Sequence, residues 1–189
     1  IARVLPNGSL DADFDADGRV TIAFDLGFLG SDHAFGMVLQ QDGRIVLVGA
    51  ADVSLDADDY NLDMAMARLL PDGSLDNGFG IGGKTLVPFD RGSGDNLDVA
   101  FDVAATADGK LLVVGYAAGY LVPGVTDTGA VAVRLASNGD IDASFGDGGT
   151  RVYEGIGPLG QSAFYGVAIH GQTIVVGGSV VIETAVPAL

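Results

Sequence analysis

The segment ARVLPNGSLD at residues 2–11 returns as ARLLPDGSLD at residues 67–76 and as VRLASNGDID at residues 133–142. The start of the segment moves by 65 and then by 66 residues, and each copy is followed in register by a phenylalanine: Phe14, Phe79 and Phe145. A fixed period of this length indicates one supersecondary unit stacked on copies of itself. The repeat therefore decides the fold.

Each repeat predicts four β-strands, because short apolar runs alternate with glycine-rich turns. Asp-Gly between two such runs, at Asp42–Gly43 and again at Asp108–Gly109, is the strongest short hairpin signal. The alignment of the inner part of the repeats places Phe35–Gly49, Phe101–Gly115 and Phe164–Gly177 in register. The predicted strands, in order, are Arg19–Phe24 (again Lys84–Phe89), Ala34–Gln40 (Ala100–Ala105), Arg44–Gly49 (Lys110–Gly115 and Thr173–Gly177) and Met64–Leu69 (Ala130–Leu135).

Four antiparallel strands repeated along the chain predict an all-β fold, a β-propeller built of four-stranded antiparallel blades. Residues 1–189 then form one propeller segment with repeats at about 1–66, 67–132 and 133–189. The last blade lacks its fourth strand, whereas residues 1–5 form a fourth strand with no blade before it. The chain thus contains about three blades.

Three blades do not close a ring, since propellers have about 4 to 8. Two arrangements remain open. The segment is a partial ring that needs the remaining blades of a longer parent chain, or it is half of a six-bladed homodimer. In the dimer, the N-terminal strand of one copy completes the last blade of the other.

The repeat pattern A-R-x-x-x-(D/N)-G-(S/D)-(L/I)-D, followed by F and then by D-G-(K/R)-(I/L)-x-V-V-G, resembles the bacterial delta-sixty repeat. The third repeat departs from it, with Ala136–Ser137 in place of Leu-Pro and a shortened hairpin at residues 170–172. The resemblance implies a propeller-like fold and a secreted, cell-surface or periplasmic bacterial protein. It implies nothing about activity.

Composition excludes several classes of partner and site. A net charge of −16 with only 9 Lys and Arg excludes nucleic-acid binding by phosphate neutralisation and disfavours anionic membranes. The absence of cysteine excludes thiolate metal sites and cysteine nucleophiles. Residues 155–182 have no formal charge, but their glycines, Pro158 and glutamines argue against insertion into a membrane.

Two kinds of connection alternate along the repeats. The hairpins and the Pro-Asn-Gly-Ser turns recur in every repeat, whereas the connections at 25–32, 51–61, 90–98 and 117–128 vary. Variable loops on a regular scaffold usually hold the function. We therefore expect a binding face for a protein or a glycan that includes six acidic residues: Asp25, Asp32, Asp52, Asp90, Asp95 and Asp98.

Calcium is the only cofactor that a pattern suggests, and none is required. Asp13, Asp15 and Asp17 begin a D-x-D-x-D-G calcium loop, but Phe24 stands where the bidentate Glu belongs. A second acidic group, Asp56, Asp58 and Asp59, lies in a variable loop. For both groups the alternative is a solvated connector without a metal.

The residues that recur in every repeat are expected to be scaffold. Arg3, Arg68 and Arg134 recur, and we expect them to hydrogen-bond carboxylate or carbonyl oxygens. We expect the recurring phenylalanines to be core. No residue is assigned a catalytic role, since the two histidines, His33 and His170, occupy different repeat positions.

Two functions follow from these observations. The first is a non-enzymatic binding module of an exported bacterial protein, which uses the variable acidic face. The alternative is a carboxylate-dependent hydrolase or lyase acting on a polysaccharide, with or without calcium, because paired carboxylates catalyse such reactions. A saline habitat is a third explanation of the acidity itself.

Overall fold

The computed structural model describes residues 1–57, 60–89, 93–122, 125–154 and 161–181. Every regular element in these ranges is a β-strand, which confirms the all-β prediction. None of the described residues forms a helix long and apolar enough to cross a membrane. The strands are β1 His33–Leu39, β2 Ile45–Asp52, β3 Leu62–Leu69, β4 Lys84–Val87, β5 Ser93–Ala105, β6 Leu111–Val122, β7 Val125–Leu135, β8 Thr150–Tyr153, β9 Ser162–His170 and β10 Thr173–Val180.

The strands form antiparallel meanders, as in the blades of a propeller. β1, β2, β3 and β4 pair in that order, and β5, β6, β7 and β8 repeat the arrangement. β9 and β10 form a separate hairpin. A single parallel bridge between Leu62 and Leu97 joins the two meanders into one eight-stranded sheet.

The predicted phase of the blades is wrong by one strand. The segment Lys84–Phe89 was predicted to be the first strand of a new blade, but the observed strand Lys84–Val87 pairs with Met64–Ala67 and is the fourth strand of the preceding blade. Each blade therefore begins at β1, β5 or β9. Arg19–Phe24 is also not an extended ladder, because the only bridge there joins Arg19 to Ala2. The division into repeats at 1–66, 67–132 and 133–189 remains a prediction, because it describes the period of the sequence and not the pairing of the strands.

The Asp-Gly hairpins form as predicted. Gly43 and Gly109 adopt φ values of +83° and +82°, a left-handed conformation that favours glycine. Their amides donate 3.0 Å hydrogen bonds to the carbonyls of Gln40 and Thr106, which closes the turn between the first and second strands of each blade.

The core lies between the two meanders. Val46, Val48 and Met66 of the first meander pack against Val113 and Val131 of the second, and all five are at most 1% exposed. The first strands β1, β5 and β9 contact one another in turn. They are therefore the inner strands, whereas β4 and β8 are the outer ones.

The ends of the strands define two faces. Successive antiparallel strands alternate in direction, so residues 25–32 before β1, residues 53–57 and 60–61 between β2 and β3, and residues 88–89 after β4 lie at one end, here called the variable face. The hairpins and the repeated turns lie at the other end, the connector face. The predicted loops are shorter than expected, because β2 extends to Asp52 and β6 and β7 include most of residues 117–128.

Candidate binding face

Two of the predicted binding-face acids join consecutive blades. The Oδ2 atom of Asp32 accepts a 2.7 Å hydrogen bond from the Phe24 amide, and Oδ2 of Asp98 accepts a 2.6 Å bond from the Phe89 amide. These positions are equivalent in the repeat. Each carboxylate holds the segment that enters an inner strand, and Asp98 is fully buried.

Asp52 holds the two loops of the variable face together. Its carboxylate accepts hydrogen bonds from the Gly30 amide at 2.6 Å, from the Ser54 amide at 3.0 Å and from the Ser54 hydroxyl. A Cβ on Gly27 would lie 2.3 Å from its Cγ, so the loop approaches too closely for a side chain there. Burial raises the pKa of Asp52, but the hydrogen bonds from Ser54 and Gly30 outweigh it and lower the pKa overall.

The structure describes only some of the remaining predicted acids. Asp25 is exposed and adopts a φ of +54°, and Asp56 is also exposed. Asp58, Asp59 and Asp90 lie outside the described residues, as does the side chain of Asp95. The structure thus brings together Asp32 and Asp52, since Oδ1 of Asp32 accepts a 3.2 Å hydrogen bond from the Asp52 amide.

The predicted calcium loop is a hydrogen-bonded turn. Oδ1 of Asp17 accepts a 2.9 Å bond from the Arg19 amide, and the Asp15 amide donates a 2.8 Å bond to the Asp72 carbonyl of the next repeat. Asp15 has a φ of +49°. Throughout the described ranges, no group of three or more His, Asp or Glu side chains is arranged to hold a metal ion.

The recurring arginines form the hydrogen bonds to carboxylate and carbonyl oxygens that the sequence analysis predicts for scaffold residues. Nε of Arg3, Arg68 and Arg134 donates to Asp11, Asp76 and Asp142 at 2.7, 2.8 and 2.8 Å, and each guanidinium lies 4.6–4.9 Å from the ring centre of the following phenylalanine. Arg3 and Arg68 also donate to a carbonyl of the next connector. Arg3 and Arg68 therefore join neighbouring blades at the connector face.

The recurring phenylalanines are not uniformly core, which corrects the prediction. Phe14 and Phe79 are fully buried, but Phe145 is half-buried and Phe35 is 52% exposed. The difference at Phe145 has a structural reason. Gly73 and Gly139 of the next connector lie against the Phe14 and Phe79 rings, and no third connector covers Phe145 within the described residues.

The sequence alignment also missed an aromatic row on the inner strands. β-Bulges in β1, β5 and β9 leave Phe35, Phe101 and Tyr165 unpaired and project them together, with ring centres 5.5 and 5.0 Å apart. Tyr165, not Phe164, is thus the equivalent of Phe35. Both ends of the aligned segment Phe164–Gly177 are therefore one residue too early, since Gly178, not Gly177, is the equivalent of Gly49.

Several large apolar side chains are exposed on the loops of the variable face, where the sequence analysis had considered only the acids. The Phe28 amide donates a 2.9 Å hydrogen bond to the Ser54 carbonyl, which brings Phe28 beside Leu55. Their side chains are 64% and 89% exposed, and Leu29 and Tyr60 are 43% and 42% exposed. We call Phe28, Leu29, Leu55 and Tyr60 the loop patch.

Comparison with known proteins agrees with this architecture. The model of a β-propeller domain of unknown function, DUF5122, matches residues 40–79 and 106–145. Each match runs from the hairpin after an inner strand to the buried or half-buried phenylalanine of the connector. Searches of curated proteins and of solved structures found no match. The chain therefore has the repeats of a β-propeller.

Proposed function

We propose that the chain is a non-enzymatic binding module, with propeller repeats of the delta-sixty type, from an exported bacterial protein. Its variable face engages a protein or a glycan. The observation that supports this proposal is the loop patch, whose four large apolar side chains are exposed on connections that differ between repeats. Exposed apolar clusters on a folded protein commonly mark interaction sites.

The acids of the variable face support binding by preorganising the loops. Asp52 accepts a hydrogen bond from the Gly30 amide of one loop, and Asp32 accepts one from the Asp52 amide, which precedes the other loop. A loop held in one conformation loses less entropy when a partner binds. Phe28 and Tyr60 supply aromatic surface, which is enriched in protein interfaces and stacks equally on sugar rings.

The same hydrogen bonds argue against the enzymatic alternative. A glycoside hydrolase needs one carboxyl group with a raised pKa to act as an acid. The pKa of Asp52 is instead lowered by its hydrogen bonds. Asp32 and Asp98 each accept a backbone amide at 2.7 Å or less, which ties both carboxylates to the scaffold.

The test compares loop-patch variants with a matched control from the opposite face. We expect Phe28→Ala and Leu55→Ala to weaken partner binding about tenfold or more each, as for residues at the centre of an interface. Ile81→Ala, which alters a side chain 91% exposed on the connector face, should leave binding unchanged. Glycan arrays and interaction screening with purified surface proteins would identify the partner, and biolayer interferometry would measure the affinities. Equal losses for all three variants would contradict the proposal.

A further inference from the structure

A pocket lies at the outer rim of the first meander, beside β4. Its volume is about 490 Å³, which falls within the range of about 300–1,000 Å³ that is usual for small-molecule sites. Three segments that are far apart in the sequence supply its walls: Phe24 and Leu26 before β1, Lys84 and Leu86 of β4, and Ile141 of the connector after β7. None of the described residues before Phe24 or after Ile141 lines it. We call it the rim pocket.

The walls of the rim pocket are mostly apolar. Leu26 and Ile141 are 57% and 44% exposed, and Phe24 and Leu86 are half-buried, so all four leave hydrocarbon surface in contact with water. A ligand that covers such surface gains free energy, because apolar area is removed from water on both molecules. The part of a ligand that occupies this pocket should therefore be apolar.

Lys84 supplies a positive charge at the wall of the rim pocket. Its ammonium group donates a hydrogen bond to the Ala23 carbonyl and lies 5.2 Å from the centre of the Phe24 ring. An ammonium group has more than one N–H donor, so it can bind a further acceptor. Lys84 and Leu86 point to the same face of β4, because alternate residues of a strand share a face. The charge thus lies next to the apolar wall.

Lys84 differs from the other basic side chains in the part of the chain that the structure describes. It is half-buried, but no carboxylate of the described residues lies within 4.0 Å of its ammonium group. Five other basic side chains each pair with an aspartate: Arg3, Arg44, Arg68, Lys110 and Arg134. Arg19 and Arg151 are exposed to water. Because a partly buried charge is stabilised by a partner of opposite sign, Lys84 favours an anionic group on the ligand.

The other polar groups at the rim pocket already have hydrogen-bond partners. The Thr85 hydroxyl donates a 3.0 Å bond to the Gly139 carbonyl, and Oδ2 of Asp140 accepts a 2.7 Å bond from the side-chain amide of Asn138. Asp140 is also exposed to water. Because its carboxylate repels anions, the anionic end of a ligand should lie at Lys84.

Two residues that give the rim pocket its chemistry do not recur in the next repeat. Leu26 corresponds to Arg91, which lies 65 residues later in the sequence. Lys84, the first residue of β4, corresponds to Thr150, the first residue of β8. A residue that the scaffold needs must recur in every repeat, whereas a binding site needs to occur only once. The divergence therefore favours a site at this gap between blades.

We propose that the rim pocket binds an aliphatic carboxylate, whose carboxylate group bonds the Lys84 ammonium and whose hydrocarbon chain packs on the apolar walls. The charge-assisted hydrogen bond fixes the head group, and the walls provide an affinity that grows with chain length. The rim pocket shares no residue with the loop patch. The site therefore does not depend on what the variable face binds.

Decanoate and 1-decanol test the two ends of the ligand separately, because they have the same chain length and different head groups. In isothermal titration calorimetry, the unmodified chain should bind decanoate about tenfold or more tightly than 1-decanol, since only decanoate bonds the ammonium as an anion. It should also bind decanoate about tenfold more tightly than octanoate, because two further methylene groups are buried. No binding of decanoate, equal affinities for decanoate and 1-decanol, or an affinity independent of chain length would overturn the proposal.

Lys84→Met removes the charge but keeps a long apolar side chain. It should lower the affinity for decanoate about tenfold or more and leave the affinity for 1-decanol unchanged, which distinguishes loss of the head-group contact from loss of the fold. The matched control, Arg151→Met, removes an exposed cation and should change neither affinity. An equal loss for both ligands, or equal effects of the two variants, would overturn the assignment of the head group to Lys84.

Leu26→Asp tests the apolar wall, because it places a charge where the hydrocarbon chain would pack. Binding of both decanoate and 1-decanol should be lost. Leu39→Asp, at a position 70% exposed on β1 and outside the rim pocket, should leave both affinities unchanged. In NMR spectra of the unmodified chain, decanoate should shift the amide signals of β4 and of residues 139–141 more than those of residues 53–57. Shifts confined to other segments, or tight binding by Leu26→Asp, would overturn the proposal.

Discussion

The guanidinium of Arg68 lies 4.6 Å from the centre of the Phe79 ring. The same guanidinium bonds Asp76 and reaches the Ser137 carbonyl in the next connector. One arginine thus contacts a buried ring, a buried carboxylate and a carbonyl group of the neighbouring blade. Because the arrangement repeats at Arg3, it explains why three residue types recur at a fixed spacing in this chain.

Removal of the Phe79 ring should test the connector as a core element. Phe79 is fully buried, and the cost of Phe79→Ala should be about 3–5 kcal/mol of unfolding free energy, as for other core aromatics. Urea unfolding measures it. Ile81→Ala, two residues away and 91% exposed, should change stability by less than about 0.5 kcal/mol. A cost below about 1 kcal/mol for Phe79→Ala would be inconsistent with a packed ring.

Asp76 should make stability depend on pH. Burial raises its pKa, but the Gly78 amide and the guanidinium groups of Arg68 and Arg44 lower it overall. A lowered pKa means that the stabilisation is present above the unfolded value, about pH 4, and is lost as the pH falls below it. Asp76→Asn should therefore lower the melting temperature at pH 7.

The difference between Asp76→Asn and the unmodified chain should shrink as the pH falls from 5 to 2. Asp13→Asn, at an exposed carboxylate on the same connector type, provides the control and should show no such pH-dependent difference. Thermal melts over this pH range measure both. A constant difference at every pH would show that the ionised form of Asp76 contributes nothing.

Two adjacent glycines test the corrected register of the last hairpin. A Cβ on Gly178 would lie 1.9 Å from the Ala163 carbonyl oxygen, whereas nothing lies within 4 Å of one on Gly177. Gly178→Ala should therefore destabilise the chain by about 1–3 kcal/mol, the usual cost of overpacking. Gly177→Ala should be close to neutral. If Gly177→Ala were the costlier change, Phe164 and not Tyr165 would be the equivalent of Phe35.

The first acidic connector should show no calcium-specific stabilisation. The Asp17 carboxylate accepts a hydrogen bond from the Arg19 amide, and the Asp15 amide donates one to the Asp72 carbonyl. A calcium concentration 100 times the dissociation constant would add about 2.7 kcal/mol if a site existed. We expect calcium and magnesium at equal ionic strength to shift the melting temperature equally. A calcium-specific rise that Asp15→Asn abolished would instead establish the calcium site that the sequence suggests.

The sequence by itself determined the features that depend on local chemistry and on the period. Apolar runs and Asp-Gly turns specify strands and hairpins within a few residues, so β1, β2, β3 and β10 begin within two residues of their predicted starts. The recurring arginine, aspartate and phenylalanine likewise identified the connector, because a residue type needed in every blade must recur in every repeat.

Only the tertiary structure decided where each blade begins. A periodic sequence looks the same whichever strand is counted first, and the pairing of β4 with β3 across the connector of residues 70–83 is a long-range choice. The sequence also did not indicate which groups the acidic side chains bind. Asp32, Asp52 and Asp98 look like surface charges in the sequence, but each carboxylate accepts a hydrogen bond from a backbone amide of another segment. The loop patch emerged for the same reason, since Phe28 and Leu55 become neighbours only when those acids fold the two loops together.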